Sequence, residues 1–240
     1  MSRFSAFAIH LGLSLVIFVG LAYLVVFQWY PDFFFTTDGG WRGMRIIVFV
    51  DLVLGPTLTL VVYKHGKPGL RTDLSIIGVV QIACLIAGTY VVYAERPLAM
   101  VYNDGRFSVL SADDYTDAGI DVPDLSEYAG TGPKWVMIEI PTELYEEADF
   151  RARYFKTGRA LNTFAELYQP FDFEHPQVRN DPLEPATIRS QEQRAQALDT
   201  WLAQSDGTEE DYLFYSIASR FTYGVLAFDR ASGEYISLVD

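Results

Sequence analysis

Residues 50–70 read VDLVLGPTLTLVVYKHGKPGL, an apolar run that carries Asp51 near its start and Pro56 in its middle. An ionisable side chain is costly inside hydrocarbon and normally faces a partner within a helix bundle. A proline removes one backbone donor and leaves the carbonyl of Leu52 without its usual helical partner. The run therefore predicts a helix that is kinked near Pro56 and that directs Asp51 away from lipid.

Two more apolar runs, residues 4–27 and 74–93, lie on either side of this stretch. Each of the three runs approaches or exceeds the roughly 20 residues that an α-helix needs to cross a bilayer. The first run is too long for a cleaved signal peptide, and no small-residue cleavage site follows it. Aromatic residues, which favour membrane interfaces, mark several ends of the runs: Trp29, Tyr30, Trp41, Tyr63, Tyr90 and Tyr93.

The sequence therefore predicts a membrane protein with three transmembrane α-helices in the lipid bilayer, at about residues 4–28, 44–63 and 73–94. The alternative is a soluble domain in which the same runs form buried helices. The loop at residues 64–71 holds three bases, which places this loop and the N-terminus in the cytoplasm. Arg42 and Arg45 fall on the opposite side and weaken the assignment. The predicted location is the bacterial inner membrane, with the C-terminal domain in the periplasm.

Residues 1–94 and 95–240 differ in composition and are predicted to be separate domains. The first region holds four acids and six bases, whereas the second holds 27 acids and 12 bases, so the net charge of −13 belongs to the second. No basic surface for nucleic acid is expected, so DNA and RNA are excluded as partners. The single cysteine, Cys84, cannot form an internal disulfide.

The acidic region has the pattern of a small α+β domain with strands at both ends. Asn103-Asp104-Gly105 is a hairpin turn between two short apolar runs, and residues 229–233 connect a second hairpin. Residues 134–140 (KWVMIEI) predict a buried strand.

The middle of the acidic region predicts helices and one loop. Residues 142–167 indicate one or two short helices, and residues 169–186, with four prolines, indicate a loop. Residues 188–202 predict a single amphipathic helix, because their apolar residues recur at helical spacing.

No pattern in the chain predicts catalysis. The G-x-S-x-G, H-E-x-x-H and phosphate-loop patterns do not occur. His175 lies in the proline-rich segment, where we expect it to be exposed, and the clusters of acids lack the spacing of a calcium loop. We expect no enzymatic activity, no cofactor and no metal site.

The candidate site is a stripe on the second predicted helix. Asp51, Gly55 and Thr59 lie at i, i+4 and i+8, on one helix face, and Pro56 lies next to them. Small and polar residues on one stripe allow close helix approach and interhelical hydrogen bonds, and Gln81 of the third run is a candidate partner. Either these residues cross-link the three helices, or the stripe receives a helix of another protein.

Four stretches together resemble a known family: residues 7–18 (FAIHLGLSLVIF), 29–41 (WYPDFFFTTDGGW), 50–74 (VDLVLGPTLTLVVYKHGKPGLRTDL) and 90–107 (YVVYAERPLAMVYNDGRF). In these stretches the chain is similar to the TfpX/TfpZ family of type IV pilin accessory proteins, which are bacterial inner-membrane proteins. The resemblance implies a non-enzymatic role in pilus biogenesis. It supplies no established functional residues.

The resemblance also implies a partner, the type IV major pilin, which spans the inner membrane as a single helix with a periplasmic head. The stripe would then pack on the pilin helix while the acidic domain meets the head. Two other classes fit the sequence: a membrane receptor or sensor with an extracytoplasmic ligand-binding domain, and a structural subunit of a larger membrane complex.

Overall fold

The structure, a computed structural model, describes residues 2–239. The chain divides into two units, Met1–Arg96 and Pro97–Asp240. The helices and π-helical turns of the first unit are, in chain order, α1 (Arg3–Leu24), a π-helical turn (Val25–Trp29), α2 (Phe34–Thr37), α3 (Gly40–Val48), a second π-helical turn (Phe49–Leu54), α4 (Gly55–Val62) and α5 (Leu70–Ala94). Apart from the short α2, they form three long helices, Arg3–Trp29, Gly40–Val62 and Leu70–Ala94, each long and apolar enough to cross a membrane.

The second and third long helices begin before their predicted starts at residues 44 and 73. Gly39 and Gly69 directly precede these helices, with φ angles of 100° and 78°. Glycine adopts this left-handed conformation without the steric penalty that other residues incur. The chain can therefore turn sharply at each glycine, and Gly40 and Leu70 become the first helical residues.

A π-helical turn directly precedes Gly55 and Pro56, and the kink predicted near Pro56 stays a prediction. This turn covers Phe49–Leu54, and the N–H of Gly55 donates to the carbonyl of Val50, five residues earlier. Pro56 then lies in the first turn of α4, where its missing N–H has no helical partner to lose. The wider turn includes Asp51.

Aromatic side chains join the end of the first long helix to the end of the third. The hydroxyl of Tyr30 donates to the carbonyl of Val92 at 2.8 Å. The rings of Trp29 and Tyr93 meet edge to face, with centroids 5.1 Å apart. A Cβ at Gly43 would overlap Val92, so the start of the second long helix packs closely against the end of the third.

The described part of the second unit forms a seven-stranded sheet in the order β4-β3-β1-β2-β5-β6-β7. The strands are β1 (Pro97–Asn103), β2 (Arg106–Ser111), β3 (Lys134–Ile138), β4 (Tyr168–Pro170), β5 (Tyr212–Ala218), β6 (Tyr223–Asp229) and β7 (Tyr235–Val239). The pairs β1–β3 and β2–β5 are parallel, and the other neighbours are antiparallel. The helices are α6 (Ala112–Asp117), α7 (Leu144–Thr157), α8 (Pro176–Arg179), α9 (Pro185–Arg189) and α10 (Glu192–Gln204).

The predicted hairpins and the predicted strand are present. Asn103 of β1 pairs with Arg106 of β2, and the two turn residues, Asp104 and Gly105, have positive φ angles of 46° and 72°. Such angles match the right-handed twist of the flanking strands. The second hairpin joins β6 and β7, and β3 begins at Lys134 as expected.

Two expectations for the middle of this unit are wrong. The segment predicted to be a loop, residues 169–186, contains most of β4, all of α8 and the start of α9. Pro176 and Pro185 each open a helix, because proline is well accommodated in a first turn. The single helix predicted across residues 188–202 is two helices, α9 and α10.

Both faces of the sheet are covered. Helices α6, α7, α9 and α10 pack on one face, where Val136 and Phe150 belong to one core cluster and Leu198 and Phe214 to a second. An aromatic cluster covers the other face: Tyr102, Phe107, Trp135, Phe171, Tyr215, Phe228 and Tyr235. Burial raises the pKa of Tyr102 to about 12, and its hydroxyl donates to the carbonyl of Gln177 at 3.0 Å.

Candidate functional site

The predicted stripe lies inside the first unit. Asp51, Gly55, Pro56 and Thr59 are buried, with Asp51 only 2% exposed, and Gln81 of α5 is 9% exposed. Asp51 and Gln81 lie on different long helices and are hydrogen-bonded to each other. The structure therefore brings together the residues that the pattern singled out.

The side-chain amide of Gln81 is the centre of this group. Its Nε2 donates to Oδ1 of Asp51, to the backbone carbonyl of Asp51 at 3.2 Å and to the hydroxyl of Ser14 at 3.2 Å. Its Oε1 lies 2.8 Å from Nε2 of His10. One side chain of the third long helix thus bonds to both of the other long helices.

His10 completes the group, although the sequence analysis did not single it out. Its Nδ1 lies 2.6 Å from the hydroxyl of Thr59. Because an amide oxygen only accepts, Nε2 of His10 carries the proton that bonds to Gln81. In the neutral ring, Nδ1 then accepts from Thr59. The available signal was one histidine in an apolar run, with Ser14 four residues later on the same face.

We call His10, Ser14, Asp51, Thr59 and Gln81 the polar cluster. Among the described residues, Oδ2 of Asp51 is buried without a hydrogen-bond partner. A Cβ at Gly55 would overlap the amide of Gln81, so only glycine leaves room for that amide. The stripe therefore faces the other two helices. This geometry supports the cross-linking alternative, and the contact with another protein's helix stays a prediction.

A different surface is exposed in the second unit, on α7. Leu144, Tyr145 and Phe155 are 75%, 89% and 79% exposed. With Ala148 and Ala152 they fall within about 100° of one another around the helix. We call these five residues the apolar strip. Exposed apolar patches of this kind mark interaction sites in water-soluble domains.

The opposite side of α7 anchors the helix. Phe150 is buried there and meets Phe164 edge to face, with ring centroids 5.5 Å apart. Arg153 forms ion pairs with Asp149 and Glu166, each at 3.0 Å. The helix is thus fixed by one face while the apolar strip points outward.

His175 is half-buried, which corrects the expectation that it is exposed. It precedes α8, and its Nδ1 accepts a hydrogen bond from the backbone N–H of Gln177 at 3.3 Å. Within residues 2–239, no three His, Cys, Asp or Glu side chains group as metal ligands.

Three helices that are each long and apolar enough to cross a membrane, followed by an acidic mixed-sheet unit, are compatible with a membrane protein. Over 108 residues, 44% of this chain, it is 34% identical to the fimbrial assembly protein of serogroup I from Dichelobacter nodosus and 32% identical to that of serogroup E1. The match covers 42% of each relative, so the chain matches less than half of their length.

A third relative is matched over most of its length. The fimbrial assembly protein of serogroups C1 and C2 from the same organism is 32% identical over 108 residues, which are 82% of that protein. The chain belongs to the family of fimbrial assembly proteins. This confirms the resemblance to type IV pilin accessory proteins. No family model matches the chain, and no solved structure matches it significantly.

Proposed function

We propose that this chain is an inner-membrane protein that assists type IV pilus biogenesis by contacting the major pilin through its acidic unit. The names of the relatives support a role in fimbrial assembly. The outer surfaces of the long helices expose many apolar side chains, such as Val16, Val61 and Ile86, which supports a lipid environment. The role is one of binding, with no enzymatic step.

The apolar strip of α7 is the observation that carries the pilin contact. On α7, large exposed apolar side chains lie on a helix that the buried Phe150 holds against the core, with Arg151 and Lys156 beside them. Large apolar residues framed by charges form the centre of many protein interfaces. The bilayer is a poorer occupant, because a region with 27 acids and 12 bases is repelled by anionic lipid. Asp51, Gly55 and Thr59, in contrast, are buried among the long helices, so the acidic unit is the more accessible surface for a pilin.

The proposal requires the acidic unit to face the periplasm. Alkaline phosphatase fused after Asp240 should be active, and β-galactosidase fused there should be silent, because three spans carry the chain's end across the membrane. A phosphatase fusion at His65, between the second and third long helices, should be inactive. Active β-galactosidase at the chain's end would contradict this topology.

The role in biogenesis is tested in a strain that lacks the gene. We expect surface pili to be lost while pilin remains in the membrane fraction, because the pilin is made but not handled correctly. Expression of the full chain from a plasmid should restore surface pili. Normal piliation in the deletion strain would refute the proposal.

A further inference from the structure

An open groove of about 700 Å³ runs along the outer side of the second long helix. Arg42 and Arg45 line the end of the groove near the start of this helix, beside Trp41. Phe49 and Val53 line the other end. Trp41, Phe49 and Val53 are exposed. The groove thus combines two cations with an apolar floor.

The two parts of the groove suit two parts of one molecule. Arg42 and Arg45 are three residues apart, so their guanidinium groups lie on neighbouring positions of one helix face. A guanidinium binds a phosphate through two parallel hydrogen bonds. Within residues 2–239, Arg45 forms no ion pair with a carboxylate of this chain, so its charge is available.

The length of the groove along the helix axis matches the thickness of one lipid leaflet. Arg42 and Val53 are separated by about 16 Å along the helix axis, at a rise of about 1.5 Å per residue. Half of a bilayer's hydrocarbon core is about 15 Å thick. Trp41 is a residue that favours the headgroup level. With the arginines at the headgroups, Phe49 and Val53 lie where an acyl chain lies.

We propose that this groove binds an anionic phospholipid, with its phosphate on Arg45 at the end of the groove where Arg42 also lies, and an acyl chain along Phe49 and Val53. The inference rests on the membrane location given under the proposed function. It accounts for two arginines on the side of the membrane where the distribution of bases otherwise disfavours them. The positive charge selects an anionic lipid over a zwitterionic one.

Native mass spectrometry of the full chain in detergent tests the proposal. The wild type should retain phosphatidylglycerol more strongly than phosphatidylcholine with the same acyl chains. Retention of phosphatidylglycerol by Arg42→Gln/Arg45→Gln should fall about tenfold, the loss expected for one charge-assisted hydrogen bond. Lys64→Gln/Arg71→Gln removes two exposed bases elsewhere in the first unit and should retain phosphatidylglycerol like the wild type.

A second measurement tests which molecule occupies the groove in cells. A photo-crosslinking residue in place of Phe49 should yield a phospholipid adduct. A protein adduct there, equal retention of the two lipids, or unchanged retention by the Arg42/Arg45 variant would overturn the inference. Lipid retention is measured without pili, so its failure is distinguishable from failure of the role in pilus biogenesis.

Discussion

Gly55→Ala should destabilise the first unit by about 2 kcal/mol, because the new methyl group overlaps the amide of Gln81 and breaks its buried hydrogen bonds. Gln81→Ala should be destabilising as well, since it leaves Asp51 and His10 without their shared partner. The combination of the two should be little worse than either alone. Once the amide is absent, the methyl group at position 55 has space, and the same hydrogen bonds cannot be lost twice.

Reversible unfolding of the full chain in mixed micelles measures this coupling as a double-mutant cycle. We expect a coupling energy of about 2 kcal/mol, within the range found for residues in contact. Gly78→Ala is the matched control on α5, because a Cβ at that position meets no atom within 4 Å beyond its chain neighbours and the helix's own backbone. Additive effects of the two substitutions would mean that Gly55 and Gln81 do not share a contact.

Tyr145→Glu combined with Phe155→Glu should reduce surface pili at least about tenfold, since buried aromatic residues dominate the binding energy of interfaces. The amount of the protein in the membrane should stay normal. Both side chains point into solvent, on the side of α7 opposite the buried Phe150, so the substitutions remove no core contact.

Quantitative immunoblots of sheared surface pilin measure the amount of surface pili, and immunoblots of the membrane fraction measure the amount of this protein. Tyr223→Glu is the control, because Tyr223 is an aromatic residue of β6 that is 74% exposed and lies outside the apolar strip. Wild-type piliation in the Tyr145/Phe155 variant would show that the apolar strip is not needed for pilus biogenesis.

The three long helices were predictable because a long apolar run has few other structural outcomes. Their starts were less so, since Gly39 and Gly69 act through a backbone conformation that the apolar pattern does not reveal. The hairpin at Asp104 and Gly105 was predictable because the residues that favour a tight turn lie next to one another in the sequence.

Strand β5 was not predicted. Its sequence, YLFYSIA, is largely buried along its length and lacks a clear alternation of apolar and polar residues. Such a short apolar run has no distinctive period. Its parallel partner β2 lies about a hundred residues earlier in the chain, and no local pattern identifies a partner at that distance.

The polar cluster was predictable only in part. Asp51 and Thr59 share a stripe within one helix, and Gln81 was a plausible partner by its polarity. Which residues of the first long helix meet them depends on how the helices rotate against one another, so His10 and Ser14 were not identified. The apolar strip was not predictable from the sequence either. The sequence of α7 holds apolar residues on two sides, and only the packing shows that Phe150 is the buried one.

The most direct test of the central claim is photo-crosslinking in living cells from position 145. A crosslinking residue in place of Tyr145, which is 89% exposed on α7, should form an adduct with the major pilin. The same residue in place of Tyr223 should not. A pilin adduct that disappears with Phe155→Glu is the result the account predicts. Adducts with another protein from position 145, without any pilin adduct, would contradict it.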